Sequence, residues 1–523
     1  MSSLFYEGGL YPPTAHATRI ERYKTNKKLF LGDHLDVFNK YGKKLPHTQK
    51  ELLYVSINLA SIISKKSADF LFGEQLQVSV GKGDNSKEQA AIDRITENNE
   101  MGIKNYESAL SNSYRGDSFY RLRVGQEFGG ELPPELDEPK VIIDTQNAEY
   151  VFPETMTGDA NKIKAYHIAV PERVDSPTPN KDVLLESEWI LHVESHSAGK
   201  IEYSKFRLNP ISVNRHGDVD QWKIGYEFKE SRSAVATGVP FPLVVHVPNF
   251  GLDDMWNGID DITEHRSILD EINNRITQIS DILDKHADAP IAVPVGTLRE
   301  DSNGNVVYNV AQEKVFEITG KDDVIPQYIT NSNPLVDQAF KELEMLIDLL
   351  FTVSEIPSVA LGRNDSGTSG SSGLSIKWRM NSLLSKINRK RQYYDKGLKR
   401  VYVIAQMLEN AVGIDTYEVS VPKLKFKTGL PKDAMEEANI MAIRTGGKPT
   451  LSQRSAIKQM DDLTDEQTDA ELEKMEAEKE AEQDSFVDES IFNEEHSTEE
   501  KEDSAEDTIG DEGELKQDNR FKN

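Results

Sequence analysis

The reading turns on Gly362-Arg363-Asn364-Asp365-Ser366-Gly367-Thr368-Ser369-Gly370-Ser371-Ser372-Gly373, which divides the stretch from Met255 to Ala411. This run lacks apolar area, and its glycines make ordering costly, so it builds no packed core. Before it the sequence reads as helix, compact β insertion, helix; after it comes a long basic helix. The first helix is expected to open after Asn249-Phe250-Gly251 and to carry Ile262, Leu269, Ile272, Ile276, Ile279 and Leu283. Such spacings lay one narrow apolar stripe along a rod, a pattern suited to side-by-side helix packing. The second helix starts at Asn333-Pro334, a cap followed by proline at the first helical position. It continues through Leu335, Ala339, Leu343, Leu346, Ile347 and Leu350 and stops before Pro357.

Working outward, residues 289–331 carry a small β insertion. Pro290-Ile291-Ala292-Val293 reads as a strand, and Asp301-Ser302-Asn303-Gly304-Asn305 as a turn into Val306-Val307-Tyr308, followed by Lys314-Val315-Phe316-Glu317-Ile318. One such hairpin is marginal alone and needs support from its neighbours. Beyond the Gly/Ser run, Leu374 to Ala411 reads as one long helix, with Lys377, Arg379, Lys386, Arg389, Lys390, Arg391, Lys396, Lys399 and Arg400 in its first half. These cations have two readings, DNA contact through counterion release or subunit packing and solvated surface. They spread around the whole helix, so packing and solvation account for most of them. Lys377 and Arg379, nearest the loop, are the candidates for facing DNA. A strand is expected at Tyr417–Val421, then helix from Asp433, interrupted at Gly446-Gly447-Lys448-Pro449.

Upstream, Glu51 to Phe72 is expected to be helical with a stop at Gly73, and Ile92 to Ser113 to be more helix. Short β runs follow, including Val141-Ile142-Ile143, Lys164–Val170 and Trp189–Val193, separated by Pro, Gly and Asn. The fold class is therefore α+β. The opening to Lys50 is rich in tyrosine and carries Arg19, Arg22, Lys24, Lys27 and Lys28. It reads either as an arm that meets a neighbour or acidic partner, or as a solvated arm with a few aromatic anchors.

The chain has 523 residues and a net charge of −28, and its mean hydropathy is −0.57. That length is sufficient for about three structural units. Beyond Met460 lie 26 acidic and 6 basic residues, a net of −20, which leaves −8 for the rest. The acidity thus belongs to the tail. Past Leu463 the composition is that of a disordered segment, with Glu471–Glu482 as a candidate exposed helix. There is no cysteine, which excludes disulfides and thiolate chemistry and fits a cytosolic origin. No apolar run approaches the roughly 18 residues that span a bilayer, and no signal peptide is visible at Met1–Glu7. Neither a membrane partner nor export is expected.

Three passages in this order resemble the portal, or head-to-tail connector, proteins of tailed double-stranded DNA phages, particularly those of Gram-positive hosts. They are Leu59-Ala60-Ser61-Ile62-Ile63-Ser64-Lys65-Lys66-Ser67-Ala68-Asp69-Phe70-Leu71-Phe72-Gly73-Glu74; Phe250-Gly251 with Asp270-Glu271-Ile272-Asn273 and Ala289-Pro290-Ile291-Ala292-Val293; and Ser369-Gly370-Ser371-Ser372-Gly373-Leu374-Ser375-Ile376-Lys377-Trp378-Arg379. Together they span roughly residues 57–462. The resemblance implies an N-terminal arm (1–50), an α+β wing (51–254), stem helices (255–288 and 333–357) around a clip (289–332), and a tunnel loop (358–374). A long helix with a wing strand (375–430), a crown (431–462) and the disordered acidic tail (463–523) complete it. It also implies a homo-oligomeric ring, a dodecamer, at one capsid vertex, assembled in the host cytoplasm. Asn364, Ser366, Gly367, Thr368, Ser369 and Gly370 would lie in the tunnel loop, and Leu269, Ile272, Ile276, Ile279 and Leu283 would form the stem stripe. The implied partners are double-stranded DNA without sequence preference, the terminase large subunit, a head-tail adaptor, and the major capsid and scaffolding proteins.

The same residues offer few catalytic signatures. A P-loop needs two glycines four residues apart and then Lys-Ser or Lys-Thr, but Thr368, Ser371 and Leu374 follow the glycines here. Gly370-Ser371-Ser372-Gly373 lacks the spacing of a nucleophile elbow. Glu264-His265 lacks the second histidine of a zincin helix, and His265 reads as a helix-surface residue. Asp253-Asp254 and Asp322-Asp323 are raw material for a cation site, although such pairs more often begin turns or cap helices. The expectation is a non-enzymatic protein without cofactor or metal. One other class remains, a non-conducting scaffold or internal virion protein, whose continuous long heptads this chain lacks; a nuclease would need clustered carboxylates with a lysine in a β core, and none is evident in the sequence.

Overall fold

The computed structural model describes residues 4–40, 54–81, 86–129, 131–133, 135–175, 187–213, 219–287, 291–292, 299–300, 306–307, 327–328, 334–363, 373–427, 429–430, 434–460, 463 and 465–492. The chain divides into Met1–Lys432 and Asp433–Asn523. The first unit opens with β1 (Leu10–Tyr11), α1 (Thr14–Leu31), α2 (His34–Lys40), α3 (Leu59–Phe72), β2 (Gln77–Ser79), α4 (Lys87–Asn98) and α5 (Met101–Arg115). Its strands continue with β3 (Asp117–Gly125), β4 (Lys140–Gln146), β5 (Val151–Met156), β6 (Asp159–Asp175), β7 (Ser187–Ser197), β8 (Lys200–Val213), β9 (Val219–Glu227), β10 (Ser233–Ala236) and β11 (Val244–Pro248). Then come α6 (Arg266–Ala287), β12 (Ile291–Ala292), β13 (Arg299–Glu300), β14 (Val306–Val307), β15 (Gln327–Tyr328), α7 (Pro334–Val353), α8 (Gly373–Arg379), α9 (Asn381–Val412) and β16 (Lys423–Lys425).

One antiparallel sheet runs β1-β9-β8-β7-β6-β5 with β10 added beside β8, and a second runs β11-β3-β4. Phe5, Tyr11, Phe152, Leu191, Phe206 and Trp222 pack together over the first sheet. A larger core joins α3, α4 and α5 to the second sheet and to α9, and it takes in Leu269 and Ile272 of α6 and Leu350 and Phe351 of α7. The helix α9 reaches the sheet because position 397 is glycine: a Cβ there would lie 2.5 Å from Val247 Cγ2. Any larger residue would force the helix off β11.

Several expectations are corrected. In place of an arm, α1 is docked: Arg19 is buried and donates to Ala148 O at 3.1 Å and Val151 O at 2.9 Å, and Tyr23 donates to the buried Asp117. Lys24, Lys27 and Lys28 remain exposed on its outer side. The helix expected from Glu51 begins instead at Leu59, because the Asn58 side chain accepts from Ser61 N and caps it there. The first rod helix starts at Arg266, not near Met255, since Asp260 accepts from Ile262 N and Thr263 N and holds a turn ahead of it. The long helix after the loop is two, α8 and α9, parted at Met380. Tyr417–Val421 is not a strand; Asn410 and Gln406 bind its backbone, and the strand falls at β16, paired with β2.

In the insertion, β12 pairs β15 and β13 pairs β14, both antiparallel. Lys314–Ile318 lies outside the described residues. The second unit holds α10 (Ala434–Thr445), α11 (Gln453–Met460) and α12 (Asp465–Phe492). The tail therefore does not lose structure at residue 463 as composition suggested. Its helix is anchored to α11 by Arg454–Asp469 at 2.6 Å and by the buried Thr468. Residues 493–523 lie outside the described residues.

Candidate functional site

The site is built where α6 begins, α7 ends and α9 passes. Its centre is Asp261, buried, on the turn that precedes α6. Ser113 Oγ donates to it at 2.6 Å and Asn249 Nδ2 at 3.2 Å. Lys386 lies 3.3 Å away, and Lys390 contacts it directly while also donating to Ser67 Oγ at 2.5 Å. Burial opposes ionisation of Asp261, but the two lysines win and hold its carboxyl well below the usual range. Burial also pushes Lys390 down to about 8, despite Asp261, because Lys386 shares the same counterion. One carboxylate thus ties α9 to the start of α6 and to α3 and α5.

Lys386 also donates to Ser354 O at 3.0 Å, just past the end of α7. The next residue, Glu355, has φ +61° and places its carboxylate 2.6 Å from Arg389. A non-glycine residue in the left-handed region is uncommon, and here it breaks α7 sharply. Beside this junction lies a cavity of about 400 Å³ lined in part by Phe250, Asp260, His265, Glu355 and Lys386. His265 is buried rather than on a helix surface, and desolvation lowers its pKa.

The residues singled out in the sequence fall in different places. Asn364, Ser366, Gly367, Thr368, Ser369 and Gly370 lie outside the described residues. The segment's flanks are described: Arg363 binds Asp348 at 3.0 Å, and α8 begins at Gly373. Lys377 is exposed and Arg379 half-buried. The stripe on α6 packs largely within the chain. Leu269, Ile272 and Ile279 are buried and Ile276 partly so within one chain, by α7 and the main core, leaving only Leu283 half exposed. Among the described residues no group of three or more His, Asp or Glu is placed to hold a metal, and no helix is long and apolar enough to cross a membrane.

The buried ionic junction escaped the sequence reading, yet it left a signal. Lys386 and Lys390 fall on the same helical face as Leu383, Ile387, Tyr394 and Leu398. Lysines four apart within an apolar face demand a buried carboxylate, and only the fold shows that Asp261 supplies it.

No curated protein matches the chain. Residues 13–485, most of the chain, match the family of phage portal proteins described as SPP1 Gp6-like. The chain belongs to the SPP1 Gp6-like family of phage portal proteins.

Proposed function

We propose that copies of this chain close into a ring-shaped channel, a dodecamer at one capsid vertex, through which DNA is packaged, retained and ejected. The observation that carries this reading is the outward face of α7. Phe340, Met345, Leu349 and Val353 are 43–62% exposed in the isolated chain, and the last three repeat every fourth residue along one flank. Large apolar side chains in such a row favour a protein neighbour over water. In this reading α6 and α7 are the stem, the residues between them the clip, the two sheets with α3–α5 the wing, and α10 and α11 the crown. The clip serves first the terminase large subunit and then the head-tail adaptors. Capsid and scaffolding proteins surround the ring.

Asn364, Ser366, Gly367, Thr368, Ser369 and Gly370 belong to the tunnel loop, and their short uncharged side chains move against a passing duplex without gripping it. Lys377, exposed at the loop's end, is the better of the two DNA-facing candidates, since Arg379 is half-buried. Any such contact is to phosphate and carries no sequence information. The test is deletion of Ser366–Ser372. Procapsids should form with portals in place but contain less DNA. Normal packaging and retention would refute the tunnel-loop role, and loss of rings would make the loop structural.

A further inference from the structure

Three backbone bonds close the end of α7. Ser354 N donates to Leu350 O at 2.9 Å, Glu355 N to Thr352 O at 3.1 Å and Ile356 N to Phe351 O at 2.9 Å. The last two, with Glu355 left-handed between their partners, make a Schellman cap, and Ile356 is buried beside it. The left-handed position of that cap is ordinarily glycine, which has no Cβ to clash. Glutamate there costs backbone strain and persists only where its surroundings impose it. Arg389 on α9 imposes it, with Nη2 at 2.6 Å from both carboxylate oxygens of Glu355. One residue earlier, the buried Lys386 donates to Ser354 O at 3.0 Å and is itself held by Asp261.

We propose that Glu355 and Arg389 form a salt-sensitive latch that holds the end of α7 closed and lets the chain beyond Ser354 hinge open when the pair parts. The two ties to α9 differ in kind. The Lys386 tie is buried and beyond the reach of salt, so it keeps Ser354 in place. The Glu355–Arg389 pair is 40% and 43% exposed, so dissolved ions screen it. Room to open exists as well, because Ser354, Glu355 and Arg389 line the cavity of about 400 Å³. A glycine at position 355 would make the cap unconditional. Glutamate makes it depend on a partner across the junction, and relief of strain favours opening once that partner lets go. The latch lies within one chain and does not rest on the ring reading.

The test follows hydrogen–deuterium exchange in full-length protein, read as protection factors at residues 354, 355 and 356. Arg389→Ala should lower protection there about two- to fivefold, the range for an exposed ion pair. Adding Glu355→Gly to that variant should restore the wild-type protection or exceed it, because glycine turns left-handed without strain. Salt at about 1 M should lower the wild-type values by a similar factor and leave both variants unchanged. Amides around the buried Leu398 of α9 should keep their protection throughout. Unchanged exchange in Arg389→Ala, or in the wild type at high salt, would show that the pair holds nothing. Failure of Glu355→Gly to restore protection would remove strain as the force that opens the latch. A loss that spreads through α9 would make the pair a support of the whole fold. Any of these three results overturns the proposal.

Discussion

The helices α6 and α7 pack side by side and are similar in length, yet they present opposite outer faces. On α6 the apolar residues Leu269, Ile272, Ile276 and Ile279 turn inward and Leu283 is half exposed near its end, while Ser267 is exposed and Glu271, Asn274, Gln278 and Asp281 are half-buried. On α7 an inner row of Leu343, Leu346, Ile347 and Leu350 meets the core, while Phe340, Met345, Leu349 and Val353 remain outside. One apolar row is spent on folding the chain and the other is left for a neighbour. A stripe read from sequence therefore locates a packing face but not whose partner it is.

The largest expected effect comes from charging the inner row. Ile272→Asp should cost about 3–5 kcal/mol, because an unpaired charge is buried in the core, and the protein should lose its cooperative unfolding transition near the wild-type midpoint. A folded monomer of unchanged stability, measured by denaturant titration, would return the α6 stripe to the subunit interface. Asp261→Asn should cost a similar or slightly smaller amount, since Lys386 and Lys390 are left sharing no carboxylate.

That substitution also carries a pH signature. The folded-state pKa of Asp261 lies below the ordinary 3.8, so its contribution is present above that value and is lost as the pH falls through the folded value. The variant's melting temperature should accordingly fall less steeply in acid than the wild type's. Parallel acid limbs would show that other carboxylates govern it.

Charging the outer row should act on assembly alone. Met345→Glu with Leu349→Glu should leave the stability within about 0.5 kcal/mol of wild type and abolish rings in light scattering. Rings of normal mass would place the interface elsewhere. Smallest of all is the effect of removing the acidic end. Truncation after Glu482 should alter neither stability nor ring formation. Cutting instead after Asp462 should expose Ala456 of α11 and lower the melting of the second unit, because Thr468 and Asp469 of α12 pack on α11. Equal behaviour of the two truncations would mean that α12 contributes nothing to α11.

The sequence by itself determined the order of parts, the α+β class and the portal resemblance. Periodic apolar spacing, proline and glycine punctuation and the Gly/Ser run are local signals that survive without knowing the fold. It located α7 closely because Pro334 and Pro357 bracket it, and it placed α6 too early because the turn at Asp260 is capped by its own side chain. Burial was decided only in three dimensions. Arg19, His265, Lys386 and Lys390 all read as surface residues, since a charged or polar side chain is usually outside. Arg19 and the two lysines are inside because a partner far away in the chain meets them: Ala148 and Val151 carbonyls for Arg19, and Asp261 for the lysines. Such partners lie more than 100 residues apart, beyond any helical or strand period, so the tertiary fold alone could bring them together.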